Sequence, residues 1–130
     1  MTERAMREVA VLGAGGWGTA LAIHIGRLGT PVKLWGRNAA LIEQLRAEQR
    51  NQTYLADVMF PPGVAPTPSL EEALANADCG VSAVPSHGTR ELMRRAAPLM
   101  RADVAVVSAT KGVERGTLSR MSEVIAQEVG

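Results

Sequence analysis

The glycine-rich stretch GAGGWG, residues 13–18, constrains the fold more than any other part of this 130-residue sequence. It follows the short, β-branched-rich apolar run Glu8–Leu12, which is typical of a buried parallel strand. The residues from Gly16, within this stretch, to Leu28 suit a helix. We therefore predict a strand, a tight turn of bare backbone and a helix. The residues available for the buried face of that helix are Ala20, Ile23 and Leu28.

The alternation of strand and helix continues to the end of the chain. Residues 51–68 interrupt it, because four prolines and no clear period indicate an irregular surface segment. Short connections between alternating elements favour right-handed crossovers, and the sequence predicts one Rossmann-type α/β domain over 1–130, a doubly wound parallel sheet with helices on both faces. Further strands are predicted over Pro31–Trp35, Cys79–Val84 and Asp103–Ala109, the last one buried, and further helices from Asn38 to Gln49, from Ser69 to Ala77, from Ser86 or His87 to Ala97, and from Thr117 to the end.

The glycines of the first turn have the spacing of a dinucleotide-binding motif. Gly13, Gly15 and Gly18 fit G-x-G-x-x-G between a predicted strand and a predicted helix, the context that makes this motif informative. Gly13 permits the turn, Gly15 lets a pyrophosphate approach the backbone, and Gly18 lets the helix lie close to the strand. The free N–H groups of the first helical turn, including that of Gly16, would bind the anion.

Trp17 is a large aromatic residue among these glycines, at a variable position of the motif. Its side chain can point away from the bend while its backbone N–H donates to the phosphates. Two interpretations remain open: the indole is a lid beside the dinucleotide, or it packs on the domain surface or against another domain.

The end of the second predicted strand indicates which dinucleotide is preferred. NAD-specific sites usually carry an acid there, which accepts hydrogen bonds from the ribose 2′-hydroxyl. This sequence has Trp35-Gly36-Arg37-Asn38 and no acid. Because an arginine pairs with a 2′-phosphate and stacks on adenine, Arg37 predicts a preference for NADP(H), with NAD(H) as a further possibility.

Five stretches in order carry a resemblance to a known family: VLGAGGWGTALA, LWGR, NQTYL, VPSH and ATKGVE. Together they resemble the amino-terminal domain of bacterial NAD(P)-dependent glycerol-3-phosphate dehydrogenase, over about residues 7–130. The resemblance implies hydride transfer between the nicotinamide and dihydroxyacetone phosphate, giving sn-glycerol 3-phosphate, a phospholipid precursor. It also implies cofactor contacts by Gly16, Trp17, Arg37 and Tyr54. The family usually has serine at Gly16, so a hydroxyl is lost there while the amide is kept.

The resemblance assigns Lys111 to the neighbourhood of both nicotinamide and substrate. This lysine follows a predicted strand at the carboxyl edge of the sheet, where an ammonium can pair with a phosphate or polarise a carbonyl oxygen. Pro85 ends an earlier strand at the same edge and is a further cofactor-binding candidate. Ser86 and His87 follow it, and they either serve the pocket or start the next helix. Glu114 either holds Lys111 or faces water.

Charge and cysteine content limit the partners that we expect. A net charge of +1 gives no reason to expect a nucleic acid or a membrane as partner. The run Val9–Gly26 has no charged residue but contains five glycines, so we expect no membrane insertion. The single cysteine, Cys79, fits a core position and a reducing compartment, and we expect a cytoplasmic protein. No cluster has metal-ligand spacing, so no metal is predicted.

The resemblance also implies that family proteins are much longer than this chain. Their second half is a helical domain that supplies the general-base lysine and most of the groups that hold the substrate. We therefore expect residues 1–130 to bind NADPH weakly and to turn over negligibly. Oligomer formation stays open. Two other functions also stay open: a non-catalytic NADP(H)-binding module, and a dehydrogenase of the related β-hydroxyacid type.

Overall fold

The structure is a computed structural model that describes residues 7–110, 114, 116–117 and 119–129. Strands and helices alternate along most of this length. The elements are β1 (Val9–Leu12), α1 (Gly16–Arg27), β2 (Val32–Trp35), α2 (Ala39–Glu48), β3 (Arg50–Asn51), β4 (Leu55–Met59), β5 (Val64–Thr67), α3 (Leu70–Leu74), β6 (Cys79–Ser82), α4 (Thr89–Ala96), β7 (Ala105–Ser108) and α5 (Met121–Val129).

A five-stranded sheet with the order β5-β2-β1-β6-β7 forms the centre of the domain. Each neighbouring pair in this sheet is parallel. Because β1 lies between β2 and β6, the turn that follows β1 opens at the middle of the carboxyl edge. The predicted α/β fold with a parallel sheet is confirmed.

Two apolar clusters cover the two faces of the sheet. Successive side chains of β1 point to opposite faces and therefore belong to different clusters. Val9 and Val11 belong to a cluster shared with α1 and α2, whereas Ala10 and Leu12 belong to one shared with α3, α4 and α5. The prediction of helices on both faces is therefore confirmed. Cys79 lies buried at the start of β6, and burial raises the pKa of its thiol.

The prediction of an irregular segment over residues 51–68 was wrong. β3 and β4 form an antiparallel hairpin outside the main sheet. β5 is an edge strand of the main sheet and pairs in parallel with β2. β5 contains Pro66, which has no backbone N–H to donate to a neighbouring strand. At the edge of a sheet only one side of the strand is paired, and the proline is tolerated there.

Other boundaries and burials also differ from the prediction. α1 ends at Arg27, and Leu28 is 72% exposed because the chain turns away through Gly29, with φ of +91°. β7 is not buried as predicted, since it is an edge strand of the described sheet and Val107 is 50% exposed.

The last helix begins later than predicted. α5 starts at Met121, after the Arg120 N–H donates to the Glu123 carboxylate at 2.9 Å. The Thr117 hydroxyl, predicted to cap the helix, instead donates to Glu114 at 2.6 Å. In the described ranges, no helix combines the length and the apolar character that a membrane crossing requires.

Candidate functional site

A cavity of about 990 Å³ opens at the carboxyl edge of the sheet. Its walls come from the turns after β1, β2, β6 and β7 and from the β3–β4 hairpin. Sequence positions that are far apart are thereby brought together, as expected where ligands bind to parallel sheets. The residues predicted from the sequence that line this cavity are Gly13, Gly15, Gly16, Trp17, Arg37, Tyr54, Pro85 and His87.

Two glycines of the first turn are needed by the fold itself. Gly13 has φ of +129°, and a Cβ there would lie 2.9 Å from the backbone of Ala83. A Cβ on Gly18 would lie 1.8 Å from the carbonyl oxygen of Gly13. Gly18 is not among the described residues that line the cavity. Its lack of a side chain lets α1 lie against the end of β1.

Gly15 differs from these two glycines because nothing in the described chain requires it. Its φ of −76° and ψ of −171° suit any residue, and a Cβ there would meet no atom within 4 Å. Gly15 is the residue before α1, and the described chain offers no hydrogen-bond partner to its N–H or to those of Gly16 and Trp17. Bare amides at a helix N-terminus, next to a cavity, form a site for an anion.

Trp17 spans one side of the cavity mouth. Its indole Nε1–H donates to the carbonyl oxygen of Ala109 at 2.8 Å, and its side chain stays 59% exposed. The bond joins the start of α1 to the residue after β7, both of which line the cavity. The indole is therefore at the rim, where it can contact a ligand, and it is also packed on the surface of the domain.

Arg37 follows β2 and is exposed on the cavity wall. Its guanidinium has no ion pair or hydrogen bond within the described part of the chain. The nearby Trp35 ring is fixed by a 3.1 Å hydrogen bond from its Nε1–H to the Pro68 carbonyl, and the Arg95 guanidinium lies 6.0 Å from its centroid. Arg37 is thus a cation at the cavity with its hydrogen-bonding capacity available.

Another part of the cavity wall comes from α4 and the residues before it. A 3-10 turn, Ser86–Gly88, leads into α4. His87 lies in that turn and also lines the cavity, so both interpretations of this residue hold geometrically, whereas Ser86 is not part of the wall. Glu91, one helical turn after His87, lines the cavity too, and its spacing of four residues was a signal that sequence reasoning missed.

Lys111 lies outside the described residues. The residue before it, Thr110, lines the cavity and donates from its hydroxyl to the Val84 carbonyl at 2.5 Å. Glu114 is bound by the guanidinium of Arg90 through two hydrogen bonds of 2.7 and 2.9 Å. This pairing lowers the pKa of Glu114 to about 2.

In the described ranges, no three His, Cys, Asp or Glu side chains lie close enough together to hold a metal ion. The predicted absence of a metal stays a prediction.

The family is decided by comparison with known proteins. The sequence model described as "NAD-dependent glycerol-3-phosphate dehydrogenase N-terminus" matches residues 8–130. The chain belongs to this family. Its members are nicotinamide-dependent oxidoreductases, so the predicted resemblance and enzyme class are confirmed at the family level.

Two relatives named glycerol-3-phosphate dehydrogenase are similar to this chain over nearly its whole length. The glycerol-3-phosphate dehydrogenase (NAD(P)+) 2 of Salinibacter ruber is 44% identical over 123 residues, which cover 95% of this chain and 36% of that protein. The corresponding enzyme of Desulfotalea psychrophila is 45% identical over 122 residues, covering 94% of this chain and 36% of the relative.

A solved structure agrees with these matches. The glycerol-3-phosphate dehydrogenase of Coxiella burnetii superposes with a TM-score of 0.91 at 34% identity, and the match covers 96% of this chain and 38% of the other. The chain thus spans little more than a third of the length of the relatives that it matches.

Proposed function

We propose that this chain is the cofactor-binding part of an NAD(P)-dependent glycerol-3-phosphate dehydrogenase. The diphosphate of the dinucleotide binds over the N-terminus of α1, at Gly15, Gly16 and Trp17. The cofactor supplies the hydride, and the chain holds and orients the cofactor. The substrate pair is dihydroxyacetone phosphate and sn-glycerol 3-phosphate, and the names of the relatives include the second of these.

The observation that carries this proposal is Gly15. A glycine that neither backbone conformation nor packing requires lies beside N–H groups without partners, at the wall of a large cavity. A ligand that must approach the backbone closely explains this glycine. The 12-residue helix α1 begins there and contributes its dipole to the binding of a negative group.

We further propose that NADP(H) is preferred over NAD(H). Support comes from Arg37, whose guanidinium has no partner within the described ranges and follows β2 at the cavity. A guanidinium binds a phosphate through paired hydrogen bonds, and the sequence offers no acid between residues 35 and 38 to repel it.

The remaining parts of the proposal concern substrate and setting. We propose that Lys111 contacts both nicotinamide and substrate, supported by the position of Thr110 on the cavity wall. Pro85 and Tyr54 contact the cofactor from their sides of the cavity. A helical domain beyond residue 130 completes the site in the longer proteins. We propose a cytoplasmic location, which the single cysteine favours. We expect no nucleic-acid partner, since basic and acidic residues number 14 and 13.

A calorimetric titration of the 130-residue chain with NADPH, NADH and ADP-ribose tests the proposal. We expect saturable binding of all three ligands, because the diphosphate and adenosine are common to them. The matched control is Gly15→Ala, which adds one methyl group at the diphosphate and should weaken all three. Absence of binding by the unsubstituted chain would overturn the proposed function.

Arg37→Asp tests the cofactor preference. The substitution replaces the partner of the 2′-phosphate by a group that repels it and that accepts bonds from a 2′-hydroxyl. We expect the NADPH dissociation constant to rise by about 10–100-fold, with little change for NADH. An equal rise for both nucleotides would refute the preference for NADP(H). Arg37→Gln, which removes the charge alone, is the intermediate control.

A further inference from the structure

A buried amide connects the β3–β4 hairpin to the glycine turn. Asn51 is fully buried, and its Nδ2 donates to the Ala14 carbonyl at 3.0 Å and to the Thr19 hydroxyl at 2.9 Å. Thr19 is also fully buried, and its hydroxyl donates to the same carbonyl at 3.4 Å. A buried amide is costly unless it is hydrogen-bonded, and here both of its ends have partners.

The first consequence concerns the peptide between Ala14 and Gly15. The Ala14 carbonyl is directed to the buried Asn51 and Thr19 side chains. In a trans peptide the N–H of the next residue points opposite to the carbonyl, and the described chain has no cis peptide. Asn51 therefore fixes the direction of the Gly15 N–H, which belongs to the cavity wall.

The second consequence concerns Tyr54. The Asn51 Oδ1 accepts from the Tyr54 N–H at 3.2 Å, a short-range bond that fixes the turn between β3 and β4. Tyr54 then lies next to the start of α1, with its Cβ and carbonyl oxygen 3.8 Å from a Cβ placed on Gly16. Its side chain is 56% exposed and lines the cavity.

We propose that Asn51 is a positioning residue for the dinucleotide. One side chain, itself fully buried, fixes two neighbouring parts of the binding wall, the Gly15 amide and the backbone of Tyr54, whose side chain lines the cavity. Asn51 sets cofactor affinity through these two groups and touches no cofactor. This inference rests on the proposed function, because it assumes that the cavity holds a dinucleotide.

A double-mutant cycle tests the proposal, with NADPH binding to the 130-residue chain measured by calorimetry. In the natural chain, Asn51→Ala should raise the NADPH dissociation constant by about tenfold, as expected for the loss of a supporting hydrogen bond. In the Tyr54→Ala background, the loss of NADPH affinity caused by Asn51→Ala should be smaller by a factor of at least about three, because part of the effect acts through Tyr54. Equal costs in both backgrounds, or no cost, would overturn the proposal.

A control separates positioning from simple destabilisation. Leu74→Ala opens a cavity in the apolar cluster on the other side of the sheet and lies away from the hairpin. It should lower the unfolding midpoint without changing NADPH affinity of the folded fraction. If Leu74→Ala weakens binding as much as Asn51→Ala, the effect of Asn51 is general destabilisation and the proposal fails.

A milder pair of variants keeps the test valid if Asn51→Ala does not fold. Thr19→Val removes the hydroxyl that accepts from Asn51, whereas Thr19→Ser retains it. We expect a few-fold loss of NADPH affinity for Thr19→Val and recovery in Thr19→Ser. Equal affinities for these two variants would overturn the proposal. If the natural chain binds no nucleotide, the proposed function fails and this inference fails with it.

Discussion

Gly15 and Gly18 belong to one turn, but they are glycines for different reasons. A Cβ on Gly18 would overlap the Gly13 carbonyl oxygen at 1.8 Å, whereas a Cβ on Gly15 would meet nothing within 4 Å. The fold therefore needs Gly18, and we propose that a ligand needs Gly15. The difference is invisible in the motif G-x-G-x-x-G, which treats the two positions alike.

Substitution by alanine separates the two roles. Gly15→Ala should change the free energy of unfolding by no more than about 1 kcal/mol, since its φ is compatible with alanine. Gly18→Ala should destabilise the chain by about 1–3 kcal/mol or more, because backbone must shift to admit the methyl group. Urea denaturation measures both values. Similar losses for the two variants would contradict this assignment of roles.

Arg90 connects α4, α5 and Glu114 near the carboxyl end of the described chain. Its guanidinium, on α4, binds Glu114 at 2.7 Å and Glu128 of α5 at 2.6 Å. Hydrogen bonds from Arg90 and Thr117 lower the pKa of Glu114 from 4.5 to about 2, and Arg90 also lowers the pKa of Glu128. In the sequence, Glu114 follows Lys111 by three residues.

These depressed pKa values predict an acid-sensitive contribution to stability. A carboxylate whose pKa is lower when folded stabilises the fold above its unfolded pKa and loses this effect as pH falls through the folded value. The Glu114 contribution should be complete above about pH 4.5 and disappear towards pH 2. Urea midpoints measured over this range should fall less steeply for Glu114→Gln than for the natural chain. The matched control is Glu71→Gln, on α3, which removes a carboxylate outside this ion pair. If the urea midpoint of Glu114→Gln varied with pH as that of the natural chain does, the prediction would be contradicted.

Elements with a strong local signal could be predicted from the sequence, and elements defined by long-range pairing could not. Asn38 and Ser69 accept hydrogen bonds from the residues three positions later, as their helix-capping positions indicated. β5 was missed because its proline argues against a strand, and only its pairing with β2 at the sheet edge makes it one. The hydrogen bonds of Asn51 could not be predicted from NQTYL either, because its partners Ala14 and Thr19 are more than 30 residues away.

At the scale of the molecule, strand order creates the candidate site. With β1 between β2 and β6, the glycine turn, Arg37 and Pro85 come to one edge although they span more than 70 residues of sequence. The motifs were enough to predict that the glycine turn, Arg37 and Pro85 gather there, because parallel strands present their carboxyl ends at one edge. The motifs could not predict the half-exposed rim formed by Trp17 and Tyr54, which depends on the hairpin and on Ala109.

The last prediction separates binding from turnover. The cavity gathers groups suited to hold a dinucleotide, but its rim is open, and the chain spans only about a third of the length of its relatives. Reduction of a ketone needs a proton as well as a hydride, in a site that excludes water. We expect the 130-residue chain to bind NADPH yet to reduce dihydroxyacetone phosphate at least about 10³-fold more slowly than a full-length relative. NADPH absorbance measures this, with the Salinibacter ruber enzyme as the positive control. Rapid turnover by the short chain would show that the cavity alone completes the site.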